Sequence, residues 1–233
     1  MATFVLVPGA WHGGWYYRPI AQALRKGGHD AYPVTLTGVG DRAHLLAGAA
    51  NLDTHIQDVV SVLETEHIAD AVLVGHSYAG MVITGVADRC PDRVGRLVYV
   101  DAYVPADGDS CWDVTTQSFR QFFIESATAD GSRVAPRPGL DPRATAHPLP
   151  SLLQRLRLSS APSRVRRRDF IYLSGWQESP FTGVYDRLSQ DPNWHTHRLP
   201  TGHNIVAEAP DQLLEILLQG SGEAVGAAQL TRC

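Results

Sequence analysis

The sequence predicts an α/β fold, a mostly parallel sheet flanked by helices, and three observations carry that prediction. Short all-apolar runs rich in β-branched residues recur along the chain, each of the kind that forms a strand buried on both faces. Segments with apolar residues at helical spacing lie between them. The two kinds alternate, which defines the class. With 233 residues, 44% of them hydrophobic and 19% charged, the chain fits one domain with a sizeable core.

The first run, Phe4 to Val7, ends at Pro8-Gly9. A helix opens at Arg18-Pro19, with proline in its first turn, buries Ile20, Ala21 and Leu24, and stops at Gly27-Gly28. A strand over Asp30 to Thr35 leads into a loop punctuated by Gly38 and Gly40. Leu52, Ile56, Val59, Val60 and Leu63 then mark an amphipathic helix, with Asn51 or Asp53 available as N-cap. Ala71 to Val74 is a buried strand that runs into Gly75-His76-Ser77-Tyr78-Ala79-Gly80 and a helix-like stretch from Met81 to Val86. Arg96 to Val100 and Phe170 to Leu173 repeat the strand pattern, His195 to Leu199 adds another strand, and a last helix covers Pro210 to Leu218.

Between 104 and 168 the alternation breaks into short aromatic and Leu-rich segments separated by Pro and Gly, read as a small lid insertion within a single domain of residues 1–219. About 60 such residues would bury too little surface to stand alone. Residues 220–233, rich in Gly and Ala, are expected to form a flexible tail.

Composition narrows the function. The net charge is −4 and Lys26 is the only lysine, so a nucleic-acid partner is not expected. Arg164, Arg166, Arg167 and Arg168 read as a solvated loop before a strand. Cys90, Cys111 and Cys233 are odd in number and lack C-x-x-C spacing, which points to free thiols in a reducing compartment. The N-terminal apolar run is too short for a signal sequence or a membrane span, so a cytoplasmic location and no membrane partner are expected.

Ser77 sits in a strand-to-helix turn flanked by small residues at 75 and 79, the context that forces a serine onto a strained elbow with its hydroxyl exposed. A serine needs an adjacent base held by a third group. His203, in a loop between the strand ending at Leu199 and the last helix, is the candidate base. The acid should follow a strand between serine and histidine. Glu178, just after the strand ending at Leu173, is preferred; Asp101, at the end of the strand Leu97 to Val100, and Asp186 are the alternatives. The Tyr78 amide and one from the Gly-rich loop after the first strand, assigned to Ala10, are the expected oxyanion donors. His195 and His197 alternate on a strand without a third ligand, so no metal is assigned.

Taken together, Val7-Pro8-Gly9-Ala10-Trp11-His12-Gly13-Gly14-Trp15, Gly75-His76-Ser77-Tyr78-Ala79-Gly80-Met81 and Gly202-His203 resemble the α/β-hydrolase superfamily, within it the branch of plant methylesterases, hydroxynitrile lyases and bacterial pyrethroid-type carboxylesterases. The resemblance extends to about Leu218. It implies Ser77 as nucleophile, His203 as base, Glu178 as acid, and Ala10 and Tyr78 as oxyanion donors. Pro8 stands where the branch usually has histidine, Ala79 replaces the usual glycine, and Glu178 replaces an aspartate. The lyases keep a lysine after their histidine; here that residue is Asn204. The expected activity is a serine carboxylesterase that cleaves a hydrophobic, aromatic ester through an acyl-enzyme, with no cofactor. Trp11, Trp112, Phe119 and Phe123 are expected to line its pocket. A thioesterase, lactonase or C–C lyase using the same site, or a non-catalytic small-molecule binder, are the alternatives, and association as a homodimer stays open.

Overall fold

The computed structural model describes residues 1–45, 50–159 and 164–220. In chain order its elements are β1 (Thr3–Val7), α1 (Arg18–Lys26), β2 (Asp30–Pro33), α2 (Leu52–Thr65), β3 (Ala71–His76), α3 (Ala79–Arg89) and β4 (Val94–Val100). Then follow α4 (Cys111–Val114), α5 (Gln117–Glu125), β5 (Arg133–Val134), β6 (His147–Pro148), α6 (Leu149–Leu153), β7 (Arg167–Leu173), α7 (Thr182–Leu188), β8 (His195–Leu199), α8 (Ile205–Glu208) and α9 (Pro210–Leu218). Six strands form a parallel sheet in the order β2-β1-β3-β4-β7-β8.

The continuous apolar runs are explained by two cores, one on each face of the sheet. In β1, Phe4 and Leu6 pack with Ile20 and Leu24 of α1 and Leu213 and Leu217 of α9, whereas Val5 and Val7 pack with Ile56 and Val59 of α2 and Val82 and Ile83 of α3. Alternate side chains of one strand therefore meet helices on opposite sides. Asn51 caps α2: its side chain accepts from the Thr54 amide, and Thr54 answers through the Asn51 backbone. The β2 strand ends at Pro33, short of the expected Thr35, whose hydroxyl accepts from the Gly14 amide and donates to the Asp41 carboxylate.

The insertion is short helices and one two-stranded antiparallel ribbon, β5–β6. It joins the core on the α2–α3 face: Phe123, Val134, Leu152 and Leu156 belong to the same buried cluster as Ile56. Gly85 permits this approach, since a Cβ there would lie 2.3 Å from Ile56 Cδ1 and 3.1 Å from Leu156 Cδ1.

Arg96, on central strand β4, is buried and paired with Asp169 of β7 at 2.8 Å. Its guanidinium also donates to the carbonyls of Ile216, Leu217 and Gln219 at the end of α9. The basic run divides: Arg166 pairs with Asp70 at the surface, whereas Arg167 and Arg168 belong to β7, Arg167 on Asp169 and Arg168 over the Trp194 ring. Cys90 is disulfide-bonded and Cys111 is a buried free thiol. The disulfide corrects the expectation of free thiols and removes the thiol argument for a reducing compartment. The expected flexible tail, beyond Gly220, lies outside the described residues. Among those residues no helix is long and apolar enough to cross a membrane.

Candidate active site

Parallel strands deliver their following residues to one edge of the sheet, and this edge collects the candidate residues. Three left-handed, non-glycine backbones mark it: Trp11 after β1 (φ 70°), Ser77 after β3 (φ 55°) and Asp101 after β4 (φ 43°). Side chains rarely adopt such a conformation unless the surroundings hold it, and it concentrates at working sites. At Ser77 the surroundings are explicit. Its amide donates to the Val100 carbonyl at 3.2 Å, and its carbonyl accepts from Gly80 at 3.1 Å and Tyr103 at 3.2 Å. A Cβ on Gly80 would fall 2.0 Å from the Tyr103 oxygen, and one on Gly9 would fall 2.9 Å from the Ser77 Cβ, so both neighbours of the elbow require glycine.

His203 reaches this edge from the loop after β8. Gly175 donates to the Thr201 carbonyl at 2.8 Å, and the Glu208 carboxylate accepts from the Gly202 amide at 2.6 Å, which ties the loop to the end of β7 and to α8. His76, beside the serine, donates from Nε2 to the His203 carbonyl at 3.0 Å, and the two rings lie 4.3 Å apart. The elbow and the histidine loop are thus in direct contact.

The acid is where sequence preference and structure part. His203 Nδ1 lies 2.6 Å from Asp101 Oδ2, and Asp101 Oδ1 accepts from the Leu173 amide at 3.3 Å. Glu178 is exposed in the turn after β7. The reason is strand adjacency: β3 and β4 are neighbours, His76 opposite Val100, so the residue after β4 stands beside the residue after β3. At the exit of β7 it is Trp176 that meets the imidazole, at a ring distance of 4.6 Å. Burial pushes the Asp101 carboxyl up to about 8 against the pull of the Leu173 amide, and burial lowers the His203 imidazole from its ordinary 6.5. The geometry of the pair, a neutral ring donating Nδ1–H to a carboxyl oxygen, leaves Nε2 as the proton acceptor.

Neither the Ala10 nor the Tyr78 amide meets an acceptor among the described residues. The Trp11 amide beside Ala10 and the Tyr78 hydroxyl are held from behind by a buried network with one consistent set of tautomers. Ser151 donates to the Pro148 carbonyl at 2.7 Å, so His147 Nε2–H donates to Ser151 Oγ at 2.9 Å. His147 Nδ1 is then bare and accepts from the Trp11 amide at 3.4 Å. Likewise His55 Nε2–H donates to the Thr37 carbonyl at 2.9 Å, and its Nδ1 accepts from the Tyr78 hydroxyl at 2.9 Å. Burial lowers His55 to about 4 and His147 well below the ordinary value, which keeps both rings neutral as these bonds require.

A cavity of about 430 Å³ opens beside His203, between the β1–α1 loop, α8 and the segment 139–143; His12, Trp15, Tyr16 and His76 are among its walls. None of the four aromatic residues expected to form a pocket lines it. Trp11 and Phe123 are buried in the core, Trp11 with its indole N–H on the Val134 carbonyl. Trp112 and Phe119 are half-buried in the insertion, Phe119 at 5.9 Å from Trp176. His197 donates to Asp169 at 3.3 Å. His147 and Trp176 carry no local signal, each meeting the site through residues more than 25 positions away, whereas His12 is set within its own loop by the Ala10 carbonyl and the Trp15 and Tyr16 rings.

The alpha/beta hydrolase family matches residues 4–222, and the chain belongs to it. It is 39% identical over 238 residues to the carbendazim hydrolyzing esterase of Nocardioides sp. (strain SG-4G), covering 93% of this chain and 98% of that one. It is 30% identical over 103 residues to methylesterase 10 of Arabidopsis thaliana, covering 44% of this chain and 38% of that one. Among solved structures, an extracellular alpha/beta-hydrolase from a Paenibacillus species, described as homologous to tobacco salicylic acid binding protein 2, superposes with a TM-score of 0.82 at 22% identity, covering 96% of this chain and all of that one (100%). A pyrethroid hydrolase from Sphingobium faniae gives 0.72 at 16% identity, covering 94% and 97%. The chain is accordingly a carboxylesterase-type hydrolase.

Proposed function

We propose that the chain is a serine esterase in which Ser77 is the nucleophile, His203 the general base and Asp101 the acid that orients it. The observation that carries this reading is the 2.6 Å contact of His203 Nδ1 with Asp101, one strand over from the strained Ser77 elbow. Ser77 Oγ attacks the acyl carbon while His203 Nε2 takes its proton; the Ala10 and Tyr78 amides receive the oxyanion; His203 returns the proton to the leaving oxygen. Water then attacks the acyl-enzyme by the same relay, and Asp101 holds the ring in the productive tautomer throughout. The substrate is a hydrophobic, aromatic carboxylic ester. The aromatic walls around His203, formed by Trp176 at 4.6 Å and Phe181 at 5.9 Å, support that class, as does the relative named for hydrolysing carbendazim.

Replacing Ser77 by Ala tests the reading on a panel of aryl and alkyl esters. Turnover should fall on the order of a thousandfold or more. Unchanged turnover on every ester would overturn the nucleophile assignment.

A further inference from the structure

We propose that the cavity beside His203 is the leaving-group pocket, and that it takes an aryl alcohol bearing an anionic substituent. This rests on the serine-esterase reading and adds which side of the ester the cavity receives. In the acylation step the Ser77 Oγ–acyl bond forms and the bond from acyl carbon to leaving oxygen breaks. The serine proton passes through His203 to that oxygen, which departs as a neutral alcohol. The leaving oxygen must therefore reach the His203 imidazole, and the group attached to it needs room on that side. The cavity, lined by His203 and Asn204, supplies the room, and about 430 Å³ suits a ring with substituents.

Its chemistry selects the occupant. Trp15 and Tyr16 offer aromatic faces, with Leu140 and Val206 completing an apolar wall. Three formally charged side chains line it: Arg18, Asp141 and Arg143. Arg143 is taken by Asp141 in a two-point contact of 2.9 Å and 2.8 Å and lies over the Trp15 ring at 4.1 Å. Arg18 is exposed on the first turn of α1, and its guanidinium has no hydrogen bond or ion pair among the described residues. The lining thus carries one uncommitted guanidinium beside aromatic walls, which matches a carboxylate on an aromatic ring.

Methyl, phenyl and 4-carboxyphenyl acetate share one acyl group and differ only in what leaves. With each variant expressed relative to wild type, so that intrinsic reactivity cancels, Arg18→Gln should raise KM for the carboxyphenyl ester about tenfold over its effect on the phenyl ester. Gln22→Trp fills the cavity from the exposed side of α1 and should lower the phenyl-to-methyl ratio of kcat/KM about tenfold. Equal effects on all three esters, or no effect, overturn the proposal. Equilibrium binding of 4-hydroxybenzoate to Ser77→Ala reads the pocket without chemistry: saturable binding, weakened when Arg18→Gln is added, supports it, and no binding overturns it. Should Ser77→Ala keep its esterase activity while it still binds the hydroxybenzoate, the nucleophile assignment falls and the pocket stands.

Discussion

A carboxyl buried beside an imidazole is useful only if the ring stays neutral until the moment of proton transfer. Burial lowers the His203 pKa, so the acid limb of kcat/KM should lie below the ordinary imidazole value of 6.5, activity being lost as pH falls and His203 protonates. Asp101→Asn leaves a side chain of the same shape but favours the wrong tautomer, and should reduce kcat by two to four orders of magnitude, roughly. Glu178→Gln, at an exposed turn, should stay within about twofold of wild type, a change near the size of surface effects in general. A loss confined to the Glu178 variant would reverse the assignment. His147→Phe removes the acceptor of the Trp11 amide, which anchors the loop presenting the neighbouring Ala10 amide, and should lower kcat more than it raises KM, because the Ala10 amide acts on the oxyanion in the transition state. An effect on melting temperature with intact kcat would mean the network is only structural.

At the scale of elements, the site is a product of strand order. The candidates Ser77 and His203 carry local signals in the sequence: a small-residue turn between an apolar run and a helix, and a Gly-His loop before the last helix. Asp101 was visible only as a runner-up, because what ranks it first is the hydrogen bonding of β3 to β4, a relation between segments that no spacing encodes. The expected pocket misled in a similar way. Of the aromatic residues expected in the pocket, Trp11 in the β1–α1 loop gives its indole N–H to the Val134 carbonyl and Phe119 of the insertion packs on Trp176, contacts between distant segments that no local pattern encodes. Cα-to-Cβ crowding makes one element-level prediction sharp. Gly80→Ala would drive a methyl group to 2.0 Å from the Tyr103 carbonyl, where backbone must move. It should destabilise the protein by several kcal/mol, roughly the upper range for single substitutions, and disturb the elbow, as checked by urea unfolding and turnover together.

For the whole molecule, the number of buried imidazoles sets its response to acid. His12, His55, His76, His147 and His203 are all lowered by burial, so each resists protonation in the fold more than in the unfolded chain as pH drops beneath 6.5. A group with a depressed folded pKa of this type contributes stability above its unfolded pKa and loses it as pH falls. Asp101, raised by burial, opposes with one proton of the other sign. Unfolding below pH 6.5 should therefore take up several protons, so stability falls as pH falls. The pH dependence of the urea midpoint measures it, and an uptake of one proton or none would show that these rings are not neutral in the fold.

Arg96 has a consequence for the order in which the chain is made. Its guanidinium is buried on a central strand, yet three of its acceptors are carbonyls at residues 216, 217 and 219, emerging from the ribosome more than a hundred residues later. Until then α9 is missing from one face of the sheet and the cation has Asp169 but none of these carbonyls, so a nascent chain shorter than this should remain protease-sensitive however complete its candidate site is.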